Sequence, residues 1–205
     1  MTAEALKNLV MKHVDSPNSG TEQDILIREA CSDPEAFARL YRLHYDRVFR
    51  YCSRRLFNRH AAEDVTSTVF FKVLRTLMSF QGNADDFRNW LYRIAINAVN
   101  DHLRTARKRA EAIRGAALNH RATEGWVDGP DPEHGELALA VKQALLGLKP
   151  KYQTVITLHF FEKMKLIDIA EILGQNPATI RSQLSRALGK LRKKLKQLPE
   201  ITREV

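Results

Sequence analysis

A chain of 205 residues is long enough for one large domain or two small ones. Its formal net charge of +9, with a pI near 9.7, points to a polyanionic partner, nucleic acid or a membrane surface. No run of about eighteen apolar residues is present, which excludes a bilayer span, and residues 1–20 lack the uninterrupted apolar core of a signal peptide.

Residues 1–20 read as a leader ending in the Pro/Asn/Ser/Gly cluster Ser16 to Gly20. Thr21 with Asp24 three residues on predicts a capped short helix through Ala30. Asp33 followed by Pro34 is an N-cap with Pro at the first helical position. It opens a long helix on which Phe37, Leu40, Tyr41, Val48, Tyr51, Cys52 and Leu56 recur at helical spacing until Asn58. A third helix, 61–78, carries the stripe Val65, Val69, Val73 and Leu77. After the loop 79–86 comes a fourth, from Phe87 to about Arg104, with two faces of different chemistry. Leu91, Ile94, Ala95, Ala98 and Leu103 form the apolar one; Trp90, Arg93, Asn97, Asp101 and Arg104 lie opposite. An aromatic platform with cationic and amide neighbours is how single-stranded DNA is held, although a Trp plugging a gap between helices would look the same here.

From Thr105 to Glu136 the periodicity weakens and Gly and Pro accumulate around an isolated Trp126, predicting a flexible linker. The second domain begins near Leu137 with a helix to Leu146, a break at 147–150 and a helix through Phe161. Two further helices follow. Leu166, Ile169, Ala170 and Leu173 stripe the first, which Gly174 ends as a left-handed cap residue would. Asn176 and Pro177 start the second, striped by Ile180, Leu184, Leu188, Leu191 and Leu195. Two helices joined by such a short Gly-containing turn make a helix-turn-helix. Off the stripe, near the start of its second helix, stand Thr179, Arg181, Ser182, Ser185 and Arg186, where a recognition helix meets base edges. No segment alternates with period two, so the expected fold is all-α: two small helical domains joined by a linker.

A solvated face on a helical hairpin would also be basic, but the placement of charge argues otherwise. From Leu137 to Leu198 twelve Lys and Arg face only Glu162, Asp168 and Glu171, a surplus equal to that of the whole chain. That concentration is the electrostatic footprint of a phosphate-binding surface. Catalysis finds no support. The adjacent acids Glu63–Asp64 and Asp85–Asp86 do not face one another on a helix, the His residues lack metal-ligand spacing, and no phosphate-binding loop occurs. No cofactor is expected. Cys31 and Cys52 read as small buried groups in a reducing cytoplasm.

With these motifs in this order the chain resembles the bacterial RNA polymerase sigma factors, specifically the extracytoplasmic-function type of the sigma-70 family. The matching stretches are DPEAFARLYRLHYDRVFRYC (33–52), HAAEDVTSTVFFKVL (60–74), FQGNADDFRNWLYRIAINAVNDHLR (80–104) and 148–195. The resemblance implies a region 2-like four-helix domain over 21–104, a linker over 105–136, a region 4-like helix-turn-helix domain over 137–199 and a tail over 200–205. It implies docking on the clamp coiled-coil of core RNA polymerase through the surface from Tyr45 to Lys72, with Tyr45, Arg47, Asp64, Val65, Phe70 and Lys72 as contacts, and on the polymerase flap. The loop from Ser79 to Asn83, with Phe80 and Asn83, would capture a base flipped from the minus-10 element. Arg88, Trp90, Arg93 and Asn97 would line the melted strand. Thr179, Arg181, Ser182, Ser185 and Arg186 would read the minus-35 element. An anti-sigma factor is a further implied partner. Three positions depart from the family pattern: Ser67–Thr68 where Gln-Glu is frequent, Ile96 where Arg is frequent, and Asn176–Pro177 at the start of the recognition helix. The competing reading is a stand-alone helix-turn-helix regulator, which would have no use for a helix suited to single strands.

The charge asymmetry yields a direct test. Affinity of the chain for duplex DNA should fall steeply between about 50 and 200 mM salt as counterions are released. A flat response in a fluorescence anisotropy titration would remove the basic surface as the DNA face.

Overall fold

The computed structural model describes residues 19–116 and 135–197; the leader, the central part of the expected linker with Trp126, and the tail lie outside the described residues. Four helices build the first domain: α1 (Ser19–Glu29), α2 (Pro34–Leu56), α3 (Arg59–Thr76, continued by a 3-10 turn over Leu77–Ser79) and α4 (Ala84–Ala116). Four more build the second: α5 (Gly135–Leu146), α6 (Pro150–Ile156, continued by a π turn over Thr157–Phe161), α7 (Leu166–Leu173) and α8 (Pro177–Leu195). Among the described residues there is no strand, and no helix is long and apolar enough to cross a membrane.

Two helix starts follow the predicted caps, whereas α1 begins at Ser19, ahead of the Thr21 expected to cap it. Asp33 accepts from the backbone N–H of Glu35 and Ala36, and Asn176 from that of Ala178. Asn58, expected to break α2, also caps the helix that follows by accepting from Ala61 N. Each such bond satisfies a donor that the first helical turn leaves open, worth about 1 kcal/mol. Gly174 ends α7 at φ 61°, in the left-handed region where a Cβ is strained.

Helices α2, α3 and α4 pack mutually, with α1 laid across α2 and α4. Leu40, Val48, Tyr51, Val69, Val73, Phe87, Leu91 and Val99 fill their centre, each nearly inaccessible to water. In the second domain α8 lies against α5, α6 and α7, burying Val155, Leu158, Ile169, Ile172, Ile180 and Ala187. The two apolar cores are continuous because α7 packs on α4 and the π turn on α2.

Helix α4 differs from its expected extent. It continues past Arg104 to Ala116, although residues 104–109 are exposed. No apolar stripe marks this stretch, but TARKRAEAIRGA is rich in Ala, Arg, Lys and Glu, whose intrinsic preference holds a helix that is already nucleated.

His44 on α2 supplies a pH-dependent element of stability. It is buried against the Phe87 ring, centroids 5.3 Å apart. Burial, with smaller contributions from Arg47 and Arg88, lowers its pKa from 6.5 to about 4. Protonation therefore favours the unfolded chain. The stability that neutral His44 contributes is fully present above about pH 6.5 and is lost as pH falls toward about 4. His44→Gln should lose less stability than the parent between about pH 7 and pH 4.5, read as urea midpoints. Equal losses would show that other groups govern the acid limb.

Candidate nucleic-acid interface

Helix α8 turns its apolar stripe into the second domain through Ile180, Leu184 and Ala187. The helical period then leaves Thr179, Arg181, Ser182, Ser185 and Arg186 on the outer face, all exposed. Asn176 and Pro177 hold the start of the helix, so these five side chains sit on its first turns, with exposed Lys190, Arg192 and Lys193 further along. Short polar and cationic groups near the N-terminus with further cations behind them are an arrangement that a recognition helix can use.

The polar face of α4 is more elaborate. Trp90 is half-buried and stands among Phe80 and Phe87, with ring centroids 5.2 and 5.7 Å away. Phe80 is half-buried as well, wedged edge-on against Phe87 at 5.5 Å. Arg88 pairs with Asp85 at 3.2 Å. Asn83 is occupied at the head of the helix. Its Oδ1 accepts from the N–H of Asp85 and Asp86 at 2.9 and 3.0 Å, while the Asp86 carboxylate accepts from Asn83 N. Gly82, at φ 149°, permits this closure, since a Cβ there would stand 2.6 Å from that of Asp86. The loop is thus a fixed turn, which the Asn83 oxygen helps to hold.

The surface expected to face polymerase divides by exposure. Arg47, Asp64 and Lys72 are exposed. Tyr45 is half-buried in a ring cluster with Tyr41, Phe49 and Phe70. Val65 and Phe70 are core residues, each 5% exposed, because the inward stripe of α3 passes through both. What α3 and its 3-10 turn present outward instead is Phe71, Leu74 and Met78, the last 83% exposed. These three recur at offsets of three and four, a signal that the sequence carried but that the more continuous valine stripe masked.

The two domains are joined by contacts that no local pattern predicts. On α4, Arg93 donates from Nε to the carbonyl of Ile172 at 3.1 Å and from Nη2 to that of Glu171 at 2.9 Å. Asn89, one position before Trp90, is 8% exposed and donates to the Glu171 carboxylate at 3.3 Å. Asn97 is exposed and lines a small cleft with Arg93, Ile172, Leu173 and Gly174. Deeper in, the π turn and the left-handed Lys163 (φ 57°) bring Glu162 to α2 and α4. Its side chain is 6% exposed and accepts from Arg54 Nη1 and from the Tyr92 hydroxyl, each at 2.8 Å. Burial, and then the neighbouring carboxylate, raise the Tyr92 pKa far above its ordinary range, so the hydroxyl remains a donor. Arg54 also lies over the Phe161 ring, 4.9 Å from its centroid. Arg55, 1% exposed, donates to Gln153, whose amide in turn donates to the carbonyls of Leu146 and Leu148.

Known proteins share both halves. The Sigma-70 region 2 family model matches residues 40–109, and that of Sigma-70, region 4 matches 138–191. The ECF RNA polymerase sigma factor SigW of Bacillus subtilis is 34% identical over 177 residues, covering 81% of this chain and 92% of its own. Among solved structures, the sigma factor RpoE in its complex with the anti-sigma factor NepR, from Bartonella quintana, superposes with a TM-score of 0.59 at 23% identity, over 78% of this chain and 96% of its own. CnrH in complex with the cytosolic domain of CnrY gives 0.62 at 20% identity, over 85% and 97%. At those identities the two structures establish the shared helical fold. With the two family matches in order and a relative this similar along nearly its whole length, the chain belongs to the ECF RNA polymerase sigma factors of the sigma-70 family.

Proposed function

We propose that this chain is a dissociable initiation subunit that binds core RNA polymerase in the cytoplasm and directs it to specific promoters. One observation carries the reading: two DNA-suited surfaces of different chemistry on one chain. The basic face of α8 suits duplex DNA read through its major groove, with Thr179, Arg181, Ser182, Ser185 and Arg186 at the minus-35 element. The Phe80–Trp90 aromatic pair with Arg88, Arg93 and Asn97 suits the unstacked strand of the minus-10 element. A stand-alone regulator needs only the first. The division of labour follows the domains, with 21–104 docking on the clamp coiled-coil and melting DNA, and 137–199 reading the upstream element near the flap. Arg47, Asp64 and Lys72 are the exposed members of the polymerase-facing set. An anti-sigma factor is a natural regulator, since the solved RpoE relative is bound to one.

Run-off transcription with core polymerase on genomic fragments tests this directly: promoter-specific transcripts should appear only when the chain is added. Arg181→Ala or Arg186→Ala should cost roughly 1–3 kcal/mol at one cognate base position if the contact is bidentate. Lys193→Ala should weaken all sequences about equally. An Arg variant that also weakens every site alike would be a phosphate contact.

Melting is tested separately. Flipping a base costs a few kcal/mol, and stacking on an aromatic side chain returns about 1–3 kcal/mol per base. Trp90→Ala and Asn97→Ala should therefore keep polymerase binding and closed-complex formation while losing permanganate reactivity of thymines near the start site. A pre-melted bubble template should restore most transcription. Variants that melt duplex promoter as well as the parent would leave this face a structural role only.

A further inference from the structure

We infer that the groove lined by α2, α4 and α6 is a binding site for a small phosphate-bearing anion, seated over the buried guanidinium of Arg55. None of the residues proposed to meet DNA or polymerase lines this groove, so the site holds or fails independently of the proposed function.

The chain leaves one charge here uncompensated. Arg55 on α2 lines the groove, is 1% exposed and donates from Nη1 to Gln153. Its Nε and Nη2 have no hydrogen-bond partner among the described residues. Two ionisable groups near enough to feel its charge stay neutral. Burial pushes the Tyr51 hydroxyl up to about 12 and the Cys52 thiol up to about 11. The buried carboxylate of Glu162 is held by Arg54 and Tyr92. A buried cation with no anion beside it is strongly unfavourable, and a counter-ion relieves it.

The groove has the room and the chemistry to take one. Its volume is about 540 Å³, inside the range of about 300–1,000 Å³ for small-molecule pockets. Arg104, Arg107 and Lys151 line it with Arg55, and no Asp or Glu does. Arg104 already pairs with Asp101 at 2.9 Å, whereas Arg107 and Lys151 stand exposed at the rim. Ile96, Leu148 and Leu173 form apolar walls, which lower the local dielectric and let these charges act more strongly than in water. A second orphan lies on the far side. Gln183 donates from Nε2 to Gln175, while its Oε1 is buried without a partner. Reversing that pair of amides turns the orphan into an N–H donor, which a phosphate oxygen can accept from.

These features select the class of ligand. Positive charge of this density, with no acid among the lining side chains, favours a multivalent anion over chloride. A nucleic-acid strand needs a continuous cationic track, whereas these charges converge on one groove. Arg107 and Lys151 grip the phosphate oxygens directly, and Arg55, covered from solvent, attracts them from beneath.

Isothermal titration calorimetry of the full chain at fixed ionic strength tests the site, with inorganic phosphate, pyrophosphate and ADP as probes. At least one should bind as a single equivalent, and the tightest identifies the source as free phosphate, polyphosphate or nucleotide. Arg55→Met, which replaces the charge with an apolar side chain, and Arg107→Ala should each weaken that probe about tenfold or more, as the loss of a charge-assisted contact requires. Arg181→Ala/Arg186→Ala should leave it unchanged. No binding by any probe at millimolar concentration, binding that Arg55→Met leaves intact, or binding that falls instead with Arg181→Ala/Arg186→Ala overturns the site. Anisotropy with a labelled single-stranded oligonucleotide should give the same affinity for the parent and Arg55→Met. A matching loss there would put the groove on the path of DNA and overturn a small-molecule site. Should Arg55→Met lose its helical circular dichroism, Arg107→Ala alone, at an exposed position, must weaken the probe, and no weakening overturns the proposal.

Discussion

One carboxylate governs how the two halves of this chain meet. Glu162 is almost wholly buried and lies between the guanidinium of Arg54 on α2 and the hydroxyl of Tyr92 on α4. A buried carboxylate is tolerable only with such partners, because desolvation otherwise outweighs what packing returns. Its position depends on backbone geometry. The π turn over Thr157–Phe161 and the left-handed Lys163 redirect the chain after α6, so that Glu162 reaches the first domain and α7 is delivered onto α4. The contacts of Arg93 and Asn89 with α7 follow from that docking.

The two surfaces proposed to meet DNA differ as the tasks proposed for them do. Duplex recognition needs cations and short polar groups on a rigid exposed helix, and α8 supplies both by burying Ile180, Leu184 and Ala187 while its other face stays in water. Holding an unstacked base needs a fixed aromatic surface. Phe80, Phe87 and Trp90 brace one another, and the Gly82–Asp86 cap keeps the adjoining loop in one shape. Rigidity is what both surfaces share, since neither can spend ordering entropy on binding without losing affinity.

Ile96, where the resemblance leads one to expect Arg, sits where an apolar side chain fits. That side chain is 4% exposed and lines the groove between the domains with Leu173 and Leu148. An Arg at this position would place a further cation beside Arg55, which is already buried without a counter-ion. An apolar residue fits this packing where a charged one would oppose it.

Local chemistry determined most of the fold by itself. The caps at Asp33 and Asn176, the left-handed Gly174 and the stripes of α2, α3, α7 and α8 are properties of neighbouring residues, so they were legible before any contact was known. The same holds for the exposure of Thr179, Arg181, Ser182, Ser185 and Arg186 on α8, because periodicity alone decides which face of an amphipathic helix meets water. Tertiary structure decided the rest. Val65 and Phe70 share their helix with Asp64 and Lys72, yet only packing of α3 on its neighbours separates core from surface. The oxygen of Asn83 was committed to a cap that depends on Gly82 and Asp86 together. Asn89, Tyr92, Glu162 and Glu171 are ordinary polar residues in sequence. They acquire meaning when positions 70 and 82 residues apart come within hydrogen-bonding distance, which no local period records.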